Sequence, residues 1–146
     1  MRKLLLVCGV LSSLHYAAIN VYVPMQWEEY SIASQTVSEL SAIGAPTRTL
    51  WIWLVMPYAV LLTAFGAGAW WSAKGGRSLR IAGGAMIAQG IIGIYWPPMH
   101  LRGAVPEMTL TDTLHIVWAA VTLALMLLAI GFGAAAFGKR SASSRW

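Results

Sequence analysis

Six polar side chains of this sequence are of the types that catalyse reactions, ligate metals or recognise small molecules. They are His15, Glu39, His100, Arg102, Asp112 and His115. Three histidines and a carboxylate form a donor set that zinc favours. The spacing lacks both the H-E-x-x-H pattern and any two histidines four residues apart, which would mark such a site. We therefore expect no metal or other cofactor, and a zinc site on the histidines is the alternative.

Asp112 and His115 are the pair whose spacing carries the most information. Residues three apart share one face of a helix, so both side chains can meet at a common site. Asp112 also suits the start of a helix, where either Thr111 or Asp112 itself would be the N-cap residue. Trp118 follows about one turn later and would form a wall. We predict a ligand-binding pocket made of seven residues. These are His15, Glu39, His100, Arg102, Asp112, His115 and Trp118.

The composition places these residues in a membrane protein rather than in a soluble enzyme. Of the 146 residues, 58% are hydrophobic and only 10% are charged, whereas soluble domains carry about 25% charged residues. This balance excludes an ordinary cytosolic enzyme and a disordered chain. The single cysteine, Cys8, excludes an intrachain disulfide.

Four apolar runs are long enough to cross the hydrocarbon core of a bilayer as helices, the third only barely. They cover residues 4–23, 50–71, 79–96 and 114–137. Four spans are too few for a closed barrel, so helices are the structure that satisfies the backbone in lipid. We therefore predict a single membrane domain over residues 1–146, an all-α four-helix transmembrane bundle. His15 and Gln89 lie inside these spans, where they either fix the helix register or line a polar cavity.

The charged residues segregate to opposite ends of the predicted bundle. Eight basic residues and no acidic ones flank the start of the first span, the connection between spans two and three, and the end of the fourth. They are Arg2, Lys3, Lys74, Arg77, Arg80, Lys139, Arg140 and Arg145. The positive-inside rule then places both termini in the cytoplasm and the two longer connections in the periplasm of a bacterium, with the chain in the inner membrane. Because the basic clusters lie between apolar runs, we expect no nucleic-acid partner.

The periplasmic segment over residues 31–43 has the pattern of a short amphipathic helix. Its apolar residues can share one face, and Thr36 and Glu39 have the spacing of a capping box. Gly44 then suits the position just after the end of the helix. We predict that this helix lies at the periplasmic interface or over the bundle.

Small residues concentrate in the third span, where Gly83, Gly84, Gly90 and Gly93 occur within eleven residues. Close contact between helices in lipid relies on small residues, so this span is the predicted central helix. Packing within one chain explains them; the alternative is a face for a homo-oligomer or another membrane partner.

Two stretches of the sequence carry a family resemblance. Residues 30–46 read YSIASQTVSELSAIGAP, and the second stretch joins Met99–Gly103 to Asp112–His115. The first resembles the Ser-Glu-Leu-x-x-x-Gly segment after the first helix of the domain-of-unknown-function 998 membrane family. The second is similar to a later outer-loop segment of that family. The resemblance covers most of the chain and implies a prokaryotic multi-pass membrane protein of unassigned activity.

The functional hypothesis is therefore a binding protein of the inner membrane. Its periplasm-facing polar pocket would hold a small amphipathic or lipid-like ligand, or a membrane partner. The alternative hypothesis is a metal-dependent enzyme. It rests on a resemblance of the sequence to the intramembrane hydrolases that include alkaline ceramidases and adiponectin-type receptors. Its candidate residues are His15, His100, His115 and Asp112. The sequence leaves open whether the protein is an enzyme.

Overall fold

A computed structural model describes residues 2–143 of the chain, which form an all-α fold. Four α-helices and two short 3-10 helices follow one another along it. The α-helices are α1 (Arg2–Tyr22), α2 (Arg48–Ser72), α3 (Arg77–Ile92) and α4 (Leu110–Ser143), and the 3-10 helices are Pro24–Gln26 and Val37–Ser41. Arg145, which contributes to the predicted charge asymmetry, lies outside the described residues.

Three of the helical stretches are long and apolar enough to cross a membrane. They are Lys3–Gln26, Arg48–Ser72 and Leu110–Gly138. The third predicted span is shorter than expected, because α3 ends at Ile92 rather than at Trp96. Its 16 residues measure about 24 Å, against roughly 30 Å of hydrocarbon. The C-cap is Gly93, and Pro97 and Pro98 oppose a longer helix, because each lacks the N–H that would bond back four residues and its ring would clash with the carbonyl there.

The closest helix contact is between α2 and α3, and glycines make it. A Cβ atom added at Gly83 would lie 2.7 Å from both the Gly66 carbonyl oxygen and the Trp70 nitrogen. A Cβ atom at Gly90 would collide with the Thr63 hydroxyl and lie 2.8 Å from the Ala59 carbonyl oxygen. The two backbones therefore touch directly, as expected for helices that associate through small residues.

The α-helices pack in chain order: α1 on α2, α2 on α3, and α3 on α4. Over the described part of the chain, α1 and α4 make no comparable contact with each other. The arrangement is an open row in which α2 and α3 share the central position that the sequence assigned to the third helix alone. A cleft remains between the two outer helices.

Residues 31–43, called the capping segment below, close one end of this row. Only Val37–Ser41 is helical, and it is a 3-10 helix, in place of the predicted amphipathic helix over the whole segment. Serine and threonine side chains compete for backbone hydrogen bonds, which favours short turns over a continuous helix. Gly44, with φ of +90°, turns the chain immediately afterwards.

The capping segment is anchored by its own core residue and by backbone contacts. Leu40 is completely buried in a cluster with Ile19, Val23, Trp51 and Val55. The Thr47 hydroxyl donates to the Leu40 carbonyl oxygen at 2.9 Å. The Ile43 N–H donates to the Met99 carbonyl oxygen at 2.7 Å. The segment thus joins the α1–α2 side of the row to the connection between α3 and α4.

Candidate functional site

A cavity of about 360 Å³ lies in the cleft between α1 and α4. All four α-helices and the capping segment contribute to its walls. Its lining residues are Tyr16, Val37, Ser38, Ser41, Trp51, Val55, Tyr58, Ala59, Gln89, Gly93, Trp96, His115, Trp118, Ala119, Thr122 and Met126. The volume lies at the lower end of the range for small-molecule sites, which run from about 300 to 1,000 Å³.

His115 is the most unusual polar residue of this cavity. Only 5% of the residue is exposed. Its Nδ1 lies 2.7 Å from the Pro97 carbonyl oxygen, and because a carbonyl only accepts, Nδ1 carries the proton and donates. The Nε2 atom on the other side of the ring is buried without any hydrogen-bond partner. An unsatisfied buried acceptor is costly and calls for an explanation.

Aromatic rings hold His115 in place. The Trp118 ring lies one helical turn further along α4, with its centroid 5.8 Å from that of His115 and 6.3 Å from that of Trp96. The Trp118 indole N–H donates to the Ile92 carbonyl oxygen at 3.1 Å, at the end of α3. His115 and Trp118, both predicted to belong to a pocket, therefore lie together on its wall.

Asp112 takes a different partner from the one that its spacing indicated. Its carboxylate accepts from the His100 N–H at 2.7 Å, and His100 Nδ1 lies 3.2 Å from Oδ1. It also accepts from the Thr109 N–H at 2.9 Å, while the Asp112 N–H donates to the Thr109 hydroxyl at 3.3 Å. This reciprocal pair is a capping box. The N-cap of α4 is therefore Thr109, and the expectation of Thr111 or Asp112 was wrong.

Glu39 is buried, with 3% of the residue exposed, and it bonds within its own segment. Oε1 accepts from the Thr36 N–H at 3.2 Å, and Oε2 accepts from the Gln35 amide at 3.1 Å. The capping-box spacing of Thr36 and Glu39 thus has a structural role. Burial and the nearby Glu39 carboxylate both raise the pKa of the Tyr30 phenol above its usual value of 10.0.

The remaining predicted residues lie apart from the cavity. His15 Nε2 donates to the Leu54 carbonyl oxygen at 2.7 Å and so ties α1 to the turn of α2 before Pro57. Arg102 is exposed in the connection before α4. The three histidines therefore have three separate partners. Within residues 2–143, no three His, Cys, Asp or Glu side chains form a group that could hold a metal ion. The metal-dependent hydrolase gains no support from this geometry.

Several cavity residues were not among the predicted site residues, although the sequence contains a signal for them. Trp51, Val55 and Tyr58 recur at the spacing of one helix face on α2. On α4, Thr122 and Met126 continue the face begun by His115 and Trp118. Assigning these two sets of residues to one cavity requires knowing that α1 and α4 lie on either side of it.

The fold identifies the class of protein: an all-α chain with three helices long and apolar enough to cross a membrane. Within that class, the chain belongs to the family described as Protein of unknown function (DUF998), whose model matches residues 10–146. The predicted family resemblance is thereby confirmed over nearly the whole chain. No curated protein and no solved structure matches it.

Proposed function

We propose that this chain is a binding protein of the bacterial inner membrane that holds a lipid-like ligand in the cleft between α1 and α4. The observation that carries the proposal is a cavity of about 360 Å³ whose lining includes the buried residue His115. The other walls are largely aromatic and aliphatic, as in sites for apolar small molecules. The cleft runs along helices suited to lipid, so a ligand can enter sideways from the bilayer.

The proposed topology has four spans, with both termini in the cytoplasm. In this arrangement α3 crosses with a short helix, whose starting residues Arg77 and Arg80 extend their side chains towards the headgroups. The Arg80 guanidinium lies 5.8 Å from the centroid of the Trp70 ring, an aromatic–cation pair typical of a membrane interface. The capping segment and the adjacent end of the cavity then face the periplasm.

Photolabelling tests the binding proposal. The detergent-purified protein would be irradiated with a photoactivatable monoacylglycerol, and the labelled peptides identified by mass spectrometry. Ala119→Phe fills the cavity, whereas Ala120→Phe places the same side chain at the next position of α4, which is exposed and does not line the cavity. We expect saturable labelling of cavity-lining peptides that Ala119→Phe abolishes and Ala120→Phe preserves. Equal labelling of both variants would refute the proposal.

Cysteine accessibility tests the topology. With Cys8 replaced, Ser34→Cys in the capping segment should react with an impermeant thiol reagent in intact cells. Ser78→Cys at the start of α3 should react only after the cells are opened. Labelling of position 78 in intact cells would contradict the orientation derived from charge.

A further inference from the structure

A second, smaller cavity lies at the end of the row that the capping segment closes. Its volume is about 140 Å³, below the range of about 300 to 1,000 Å³ for sites that enclose a whole small molecule. It therefore suits one polar headgroup rather than a complete ligand. We call this cavity the Arg48 groove, and its lining residues are Arg48, Ile52, Ile94, Tyr95, Trp96 and Pro98.

Arg48 is the only charged residue of the groove, and part of its guanidinium is free. Nη1 donates to the Ser41 carbonyl oxygen at 2.8 Å. Within residues 2–143, Nε and Nη2 make no hydrogen bond and neither atom is buried, so both can be reached from outside. In the same part of the chain, the one ion pair joins His100 to Asp112. No carboxylate of the described residues therefore neutralises Arg48.

The other walls of the Arg48 groove combine aromatic and aliphatic surface. Tyr95 is 75% exposed and Ile94 is 51% exposed, so both stand at the open side of the groove, while Ile52 lies about one helical turn after Arg48. Tyrosine and tryptophan rings favour the level of the lipid headgroups. The groove thus places a free cation beside apolar side chains, with no negative charge on its walls.

The charge and the position of Arg48 indicate the ligand. A guanidinium presents a planar fork of N–H donors that matches the oxygens of a phosphate. Arg48 is also the first residue of a helix long and apolar enough to cross a membrane. The first residue of a span lies at the boundary between hydrocarbon and water, where the phosphates of the lipids are the abundant anions.

From these observations we infer that the Arg48 groove binds the phosphate of a phospholipid. The free side of the Arg48 guanidinium donates to the phosphate oxygens, and the hydrocarbon chains lie against Ile52 and Ile94. This is a second lipid site, separate from the cleft between α1 and α4, and it does not rest on binding in that cleft.

Native mass spectrometry of the detergent-purified protein tests the inference with two lipids. Dioleoyl phosphatidylglycerol carries the phosphate, whereas dioleoylglycerol has the same chains without it. We expect the phospholipid to bind about tenfold more tightly, as one charge-assisted hydrogen bond implies. Inorganic phosphate should not displace the phospholipid, because it has no chains to contact Ile52 and Ile94. Displacement by inorganic phosphate would mean that the groove takes free phosphate and that the lipid assignment is wrong.

Two pairs of variants assign the preference to the Arg48 groove. Arg48→Gln removes the charge, and the control Arg102→Gln makes the same change at an exposed arginine that lines neither cavity. Ile94→Glu places a carboxylate in the groove with Arg48, and its control Leu110→Glu lies at a position that is 75% exposed. We expect Arg48→Gln and Ile94→Glu to lose the tenfold preference and both controls to keep it. Ile94→Glu decides the matter where Arg48→Gln fails to fold.

The outcomes separate this inference from the proposed function. Equal binding of the two lipids to the wild-type protein overturns the phosphate site, and a preference that survives in a folded Arg48→Gln variant overturns the assignment to Arg48. Ala119→Phe fills the cleft and should leave the preference unchanged. If Ala119→Phe abolishes it, the phospholipid lies in the cleft and the Arg48 groove is the wrong site. If the photolabelling of the cleft fails while the preference depends on Arg48, the proposed function is wrong and this inference stands.

Discussion

Gly83→Ala tests whether direct backbone contact holds α2 and α3 together. The added Cβ atom would lie 2.7 Å from the Gly66 carbonyl oxygen and the Trp70 nitrogen, whereas ordinary contacts begin at 3.4 Å. Both neighbouring atoms belong to the backbone, so the helices must separate by about 0.7 Å, a gap that forfeits roughly a quarter to a half of each contact's dispersion energy. Overpacking of this kind costs about 1–3 kcal/mol.

The net effect includes a helix-propensity gain, which a control variant measures. Replacing a glycine inside a helix by alanine returns about 1 kcal/mol, so we expect Gly83→Ala to lose up to about 2 kcal/mol overall. Gly131→Ala on α4 has no atom within 4 Å of the added Cβ and should be neutral or slightly stabilising. Thermal unfolding in detergent, followed by circular dichroism, compares the two. Equal midpoints would refute the argument that α2 and α3 depend on this close approach.

Three further predictions concern the capping segment and the start of α4. Leu40→Ala should destabilise the fold by about 2–5 kcal/mol, because it empties a fully buried position; Ile32→Ala in the same segment, 79% exposed, should change the unfolding midpoint little. Asp112→Ala should cost about 1–2 kcal/mol, because two backbone N–H groups lose their acceptor. Asp112→Asn should recover part of that loss, and equal losses in the two variants would contradict the capping role. Glu39→Gln should lower the pKa of Tyr30 in a spectrophotometric titration, with Tyr30→Phe identifying the signal, because the carboxylate charge is one of the two causes that raise it. An unchanged Tyr30 pKa would place the cause in burial alone.

The helices were predictable from the sequence because apolar runs and small residues are local signals. The residues at which the helices end were less predictable. α3 stops at Ile92, four residues before the apolar run does, since Pro97 and Pro98 cannot form the helical hydrogen bonds back to residues 93 and 94. The helix in the capping segment covers only Val37–Ser41, not the predicted range 31–43. Its helix-like pattern competes with side-chain hydrogen bonds that only the folded chain reveals.

For the candidate site too, the sequence predicted what depends on local spacing and missed what depends on the folded chain. The spacing of His115 and Trp118 placed them on one face, and they do share the cavity wall. The pairing of Asp112 was readable in principle, because Thr109-x-x-Asp112 has capping-box spacing. The sequence could not predict that His100 bonds to Asp112 or that Pro97 bonds to His115. Both hydrogen bonds depend on how the connection after α3 folds back over the row of helices.

The packing of each α-helix on its neighbour in the chain bears on how the molecule assembles during synthesis. Each helix after the first packs on the one made just before it, so docking involves little loop closure over long distances. The exceptions are the tie between Ile43 and Met99 and the cavity that Tyr16 and His115 line together. Both must wait until α3 has emerged, and the cavity is complete only after α4. Ligand binding in this cleft would therefore report on the last step of assembly.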